Sequence, residues 1–163
     1  MFEPETLRLA QSVLDACRAR KWRLATAESC TGGMVAAALT AIAGSSDVVE
    51  RGFVAYTNEA KSELLGVPAE TIAAHGAVSA ETAEAMAQGA IAHAPVDLAI
   101  AVAGIAGPGG ATPTKPVGLV LFGLARRDGT CRTERRLFPG DRSAVRQAAL
   151  QRALELLDAG AQS

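Results

Sequence analysis

The run Val96–Ala103 constrains the fold of this chain more than any other stretch. It is apolar at every position except Asp97. A strand with one wet face alternates apolar and polar residues, whereas an unbroken apolar strand is covered on both faces, as in α/β sheets. The expectation is therefore an α/β protein with a sheet between two helical layers. Segments on either side supply those layers. Leu7, Ala10, Val13, Leu14 and Cys17 recur at helical spacing, with Arg8, Gln11, Asp15 and Arg18 on the opposite face, which predicts a helix from about Glu5 to Arg20.

Trp22 to Ala27, broken by Arg23, reads as a strand, and the Ala-rich run Met34–Leu39 as a helix. Ala43 to Asp47 is a loop. Val48–Tyr56 is a second strand, with Gly52 marking a bulge or a close backbone approach. Thr57-Asn58 signals a helix start, with Asn58 as a cap; the helix Glu59–Leu65 ends at Gly66. Pro68 to His75 is a further short helix, and Ser79 caps a longer one reaching His93. After Val96–Ala103 comes a Gly/Pro-rich loop, then a strand Val117–Ala125. Asp128-Gly129 is a hairpin turn, so Thr130–Phe138 returns antiparallel. A last amphipathic helix starts near Arg142 and stops near Gly160. No repeat, linker or boundary interrupts the chain, which reads as one domain over residues 1–163. The fold class is thus a three-layer α/β/α sandwich with a mixed, mostly parallel sheet and one antiparallel C-terminal hairpin.

The first strand and its helix are joined by Thr26-Ala27-Glu28-Ser29-Cys30-Thr31-Gly32-Gly33, where small, hydroxyl and acidic residues replace apolar ones. Thr31 or Ser29 can cap the helix, and Gly32 and Gly33 let its first turn approach a ligand. Free N–H groups there suit a phosphate or a developing oxyanion. The same octet also reads as an N-cap followed by a tight turn and nothing more.

Three further stretches sit at strand ends, where α/β proteins place their chemistry. In Tyr56-Thr57-Asn58-Glu59-Ala60-Lys61, a cap at Asn58 puts Lys61 in the first turn of a helix, where a positive charge is disfavoured and the pKa is lowered; the stretch also reads as an ordinary exposed lysine with a half-buried tyrosine. The spacing is one residue too long for a Tyr-x-x-x-Lys dehydrogenase pair. The loop Gly104 to Pro116 has glycines at Gly104, Gly107, Gly109 and Gly110. It follows neither a dinucleotide fingerprint nor a P-loop, although it can form an anion-binding nest. In Gly140-Asp141-Arg142, Arg142 either binds an anionic group or pairs with Asp141.

Composition excludes several classes. A net charge of −1 leaves no electrostatic footprint for nucleic acid or an anionic membrane. No apolar run approaches spanning length, and the acidic N-terminus lacks a signal-peptide layout. The three cysteines Cys17, Cys30 and Cys131 are odd in number and far apart, which points to reduced thiols in the cytoplasm. His75 and His93 have no metal-ligand spacing with them, so no metal and no cofactor is expected.

Taken together, these stretches resemble the CinA C-terminal family, the family of bacterial nicotinamide-nucleotide amidases. The shared motifs are Ala27 to Gly33, Tyr56 to Lys61, Gly76-Ala77-Val78-Ser79, Gly104 to Gly110, Lys115-Pro116-Val117-Gly118 and Gly140-Asp141-Arg142, in that order. The resemblance covers about Leu7 to Leu157 and implies a stand-alone form that hydrolyses nicotinamide mononucleotide (NMN) to nicotinate mononucleotide and ammonia. It implies Ser29 as nucleophile, Lys61 as general base and Tyr56 as the tyrosine that orients the lysine. It implies substrate contacts from Glu28, Cys30, Thr31, Gly32, Gly33, Asn58, Gly104, Gly107, Gly109, Gly110 and Arg142, and a homodimer. A lysine base suits a serine nucleophile, since a desolvated neutral amine can take its proton near pH 7. One departure is Ala103, where many relatives carry a hydroxyl residue. That departure favours the alternative reading, a catalytically weak nucleotide-binding or regulatory module linked to competence or DNA damage.

Overall fold

The computed structural model describes all residues, Met1–Ser163. In chain order the elements are α1 (Pro4–Arg20), β1 (Leu24–Glu28), α2 (Met34–Thr40), β2 (Val49–Val54), α3 (Asn58–Leu65), α4 (Ala69–His75), α5 (Ala80–His93), β3 (Leu98–Gly104), β4 (Leu119–Arg126), β5 (Cys131–Leu137) and α6 (Arg142–Gln162). The five strands form one sheet in the order β2-β1-β3-β4-β5. β1 pairs in parallel with β2 and β3, while β4 runs antiparallel to both β3 and β5. Four strands therefore share one direction and β4 opposes them, a mixed α/β sandwich as the periodicity predicts. The Gly/Pro-rich loop turns out to close a long β3–β4 hairpin besides the short one at Asp128-Gly129.

The two faces of the sheet are built differently. Leu24, Leu98, Ile100, Val102, Val120 and Phe122 point to one side and join a core with α1, α2 and α6. Ala25, Ala27, Ala99, Ala101 and Ala103 alternate to the other side, where they meet Leu65 of α3 and Met86, Ala87 and Ala90 of α5. Large side chains on the first face each contribute about 1.5–3 kcal/mol by burial. On the second face small residues let α5 settle close to the sheet. A Cβ on Gly123 would lie 2.4 Å from the Ala83 carbonyl oxygen, and one on Gly89 would lie 2.0 Å from that of Leu65. The latter contact sets how deeply α3 sits, and α3 carries Lys61.

One glycine differs in role from its sequence reading, and another is decided between its two readings. α6 does not stop at Gly160 but continues to Gln162; a Cβ there would lie 2.6 Å from Leu124 Cδ2, so packing requires the glycine. Gly52 marks a close approach, since its Cβ would lie 2.8 Å from Thr26 Oγ1, while the register shift of that strand pair falls at Leu24/Ala25. No helix is long and apolar enough to cross a membrane.

The chain leaves β1 outward to β2 and then returns to β3 on the opposite side of β1. This is a topological switch point, and the crevice at the carboxyl ends of β1 and β3 is where such sheets bind ligands. Ser29 immediately follows β1, and Gly104 ends β3.

Candidate active site

The segment after β1 is fixed from both ends. The Ser29 N–H donates to the Val102 carbonyl at 2.9 Å, which continues the β1–β3 ladder by one residue, and the Gly32 N–H donates back to the Ser29 carbonyl at 3.0 Å. Gly32 and Gly33 adopt φ of +57° and +101°, conformations that side chains strain to reach. The N-cap position of α2 is Gly33, which has no side chain to cap with. The cap comes instead from Glu28, at the end of β1. One carboxylate oxygen accepts from Thr31 Oγ1 at 2.7 Å and from the Val35 N–H at 2.9 Å; the other accepts from the Ala36 N–H at 3.0 Å. Neither Ser29 nor Thr31 caps the helix, and the free N–H groups expected there are bound by Glu28.

α3 begins with Thr57 as its cap, whose hydroxyl accepts from the Ala60 N–H at 3.0 Å, rather than Asn58. One turn on, Lys61 reaches inward and is 1% exposed. Its Nζ lies 3.1 Å from Ser29 Oγ, 3.1 Å from the Ala55 carbonyl and 3.0 Å from the Tyr56 carbonyl. No carboxylate forms an ion pair with it. Burial pushes its pKa below the ordinary lysine value of 10.5. A neutral amine has two N–H groups and one lone pair. Two carbonyls are in place for the hydrogens, which leaves the lone pair for the Ser29 hydroxyl.

Tyr56 meets Lys61 through its backbone carbonyl, and its side chain does something else. The phenol oxygen accepts from Arg142 Nη2 at 3.0 Å, and Arg142 Nη1 donates to the Gly107 carbonyl at 3.0 Å. Arg142 is not paired with Asp141, whose carboxylate accepts from the Ala144 N–H at 2.9 Å and caps α6. Arg142 thus ties the rim of β2 to the Gly/Pro-rich loop.

These groups surround a cavity of about 200 Å³. Of the residues expected at the site, Ser29, Cys30, Tyr56, Asn58, Lys61, Gly104 and Arg142 line it. Glu28, Thr31, Gly32 and Gly33 stand behind the Ser29 turn, where Glu28 and Thr31 are wholly buried. Gly107, Gly109 and Gly110 lie in the loop beyond the cavity wall. Gly104 is required where it stands, since a Cβ would lie 3.0 Å from Cys30 Sγ and from the Leu119 carbonyl. Burial pushes the Cys30 thiol up to about 11, so it is protonated at neutral pH. Larger clefts lie along α3 and α4 and beside the C-terminal end of α6, but neither contains Ser29 or Lys61.

Sequence reasoning missed Ala77, Val78 and Ala106 as cavity walls; Ala103, singled out for its lack of a hydroxyl, lines the cavity with them. A signal for the first two was present in Gly76-Ala77-Val78-Ser79. The Ser79 and Thr82 hydroxyls both donate to the Gly76 carbonyl, at 2.9 and 2.7 Å, and hold that turn over the site. For Ala106 only its place among the glycines of the loop spoke.

A three-layer α/β/α domain with a serine and a buried lysine facing each other at the carboxyl ends of its central strands is the class of protein these features define. The chain belongs to the CinA C-terminal domain family, which it matches over residues 6–160. It is 49% identical over 157 residues to the nicotinamide-nucleotide amidohydrolase PncC of Escherichia coli strain K12, covering 96% of this chain and 95% of that protein. A CinA-like protein of Mycolicibacterium gilvum is 57% identical over 134 residues; these are 82% of this chain but 32% of that longer protein. The crystal structure of the competence/damage inducible protein CihA from Agrobacterium tumefaciens superposes with a TM-score of 0.94 at 46% identity, covering 98% of this chain and 97% of that one.

Proposed function

We propose that this domain is an amidohydrolase that converts NMN to nicotinate mononucleotide and ammonia, with Ser29 as nucleophile and Lys61 as general base. The observation that carries the reading is the 3.1 Å approach of a buried, carboxylate-free Lys61 Nζ to Ser29 Oγ. The near-full-length likeness to a nicotinamide-nucleotide amidohydrolase names the substrate. Ser29 Oγ attacks the carboxamide carbon and its proton passes to Lys61. The tetrahedral intermediate then collapses, the C–N bond breaks, and the proton on Lys61 leaves with ammonia. Water, activated by the same amine, cleaves the resulting ester and frees the acid and the serine.

The Glu28 carboxylate occupies the first N–H groups of α2, which takes them out of play as an anion site. The Cys30 N–H, beside the nucleophile and donated to no backbone carbonyl, is left for the oxyanion. Arg142 at the rim positions the substrate's anionic end. Neither a metal nor a cofactor has a part in this scheme. We also place the protein in the cytoplasm as a homodimer that does not bind nucleic acid. The exposed apolar side chains Val54 and Leu64 support the dimer, and light scattering at several concentrations tests it. The deciding experiment is ammonia release from NMN by the purified protein. Binding of NMN without ammonia release would instead support the regulatory module, for which Ala103 speaks by giving the cavity wall a methyl group.

A further inference from the structure

We infer that Arg146, on α6, is a positioning residue that holds the nucleophile's turn in its reactive geometry. Its Nε donates to the Cys30 carbonyl at 3.0 Å and its Nη2 lies 3.4 Å from the Thr31 carbonyl. The Cys30 carbonyl has no other hydrogen-bond partner in the chain. Arg142 and Arg146 are one turn apart on the same helix face, yet they face different parts of the site. Arg142 reaches the rim, and Arg146 reaches the two peptides that follow Ser29.

The turn needs an outside support. Ser29 is anchored before its side chain by the β1–β3 ladder, but the chain after it runs through Gly32 and Gly33, both at positive φ. Glu28 holds Thr31 by its side chain and α2 by its N–H groups; the Thr31 carbonyl accepts from the Met34 N–H at 3.0 Å, but nothing within the turn holds the Cys30 carbonyl. Because a trans peptide points its C=O and N–H in opposite directions, pulling the Cys30 carbonyl toward α6 fixes the plane of the whole Cys30–Thr31 unit. A planar guanidinium bridges two successive carbonyls in a fixed fork, which an ammonium cannot reproduce.

The kinetic arm of the test rests on the amidase reading; a second arm does not. In Arg146→Ala we expect kcat on NMN to fall by up to about 10²-fold through misplacement of Ser29. KM should stay within about twofold, because the lost support acts on the nucleophile and not on bound substrate. Millimolar guanidinium should restore part of kcat, and Arg146→Lys should fall between the wild type and Arg146→Ala. Independently of turnover, hydrogen exchange of the Gly32 amide should quicken in Arg146→Ala while the Val35 and Ala36 amides, held by Glu28, keep their rates. Wild-type kcat in Arg146→Ala, a loss confined to KM, or exchange that quickens equally across β1 and α2 overturns the inference. If the wild type releases no ammonia, the amidase reading fails alone, and the Gly32 amide still decides the role of Arg146.

Discussion

Glu28 and Lys61 are both ionisable side chains shut away from water, at 0% and 1% exposure, yet they are treated in opposite ways. Glu28 receives three hydrogen bonds, two of them from the first N–H groups of a helix, so its charge is met by fixed dipoles aligned for an anion. Lys61 meets two neutral carbonyls and a hydroxyl, with no opposite charge, and burial lowers its pKa. A buried charge with donors on both its oxygens holds structure together. A buried amine with no opposite charge beside it is pushed toward its uncharged form by desolvation, which is what a base requires.

The two residues should therefore fail differently when replaced. The largest effect is expected at the lysine. Lys61→Ala should lower kcat by about 10²–10⁴-fold, the usual contribution of a general base, while the protein still melts in one cooperative transition. Lys61→Arg should not recover it, because a guanidinium stays protonated and has no lone pair to offer. Steady-state rates of ammonia release, read beside thermal melts, check both.

At Glu28 the loss should appear in stability first. Glu28→Gln keeps the shape but turns an N–H donor toward the N–H groups of α2 or toward Thr31, leaving buried donors opposed. We expect about 1–3 kcal/mol of destabilisation in urea unfolding. An unchanged unfolding free energy with activity abolished would make Glu28 a chemical group and erase the contrast.

The pH dependence of stability sharpens the comparison further. Lys61 has a lower pKa folded than unfolded, so between its folded pKa and 10.5 the unfolded chain binds more protons. Stability contributed by this site is therefore present above 10.5 and lost as pH falls through the folded pKa. Lys61→Met has no such group. Its stability relative to wild type should be greatest below the folded pKa and decline as pH rises toward 10.5. Paired unfolding curves across that range check the sign.

The smallest effect is expected at Tyr56. Its contact with Lys61 is a backbone carbonyl, which Tyr56→Phe leaves in place, while the phenol's bond to Arg142 at the rim is lost. KM should rise by a few-fold, about 1 kcal/mol, with kcat nearly unchanged. A collapse of kcat would return the side chain to the role of orienting the lysine.

These contrasts also mark what could be read in the sequence. The order of strands and helices was legible because its signals are local: the apolar run into β3, Asp128-Gly129, and the glycine ending α3. Ser29 and Lys61 are 32 residues apart, and only the sequence of motifs, not their spacing, linked them. The Glu28 cap was not legible. Ser29 and Thr31 satisfy the usual local rule for a cap, while a carboxylate reaching seven and eight residues ahead leaves no local pattern. The form of the Tyr56 contact with Lys61 was not legible for a related reason, since a carbonyl carries no residue identity. Arg146 lies on a helix whose periodicity explains its face but not the two carbonyls it meets.

The central claim is that burial delivers Lys61 to Ser29 as a neutral amine. Direct NMR titration of the Lys61 side chain, assigned by comparison with Lys61→Arg, tests it most closely. We expect its pKa to lie well below 10.5 and to coincide with the rising limb of kcat/KM for ammonia release from NMN, a limb that disappears in Lys61→Arg. A Lys61 that titrates at 10.5 or above, or a rising limb that persists in Lys61→Arg, would contradict the claim.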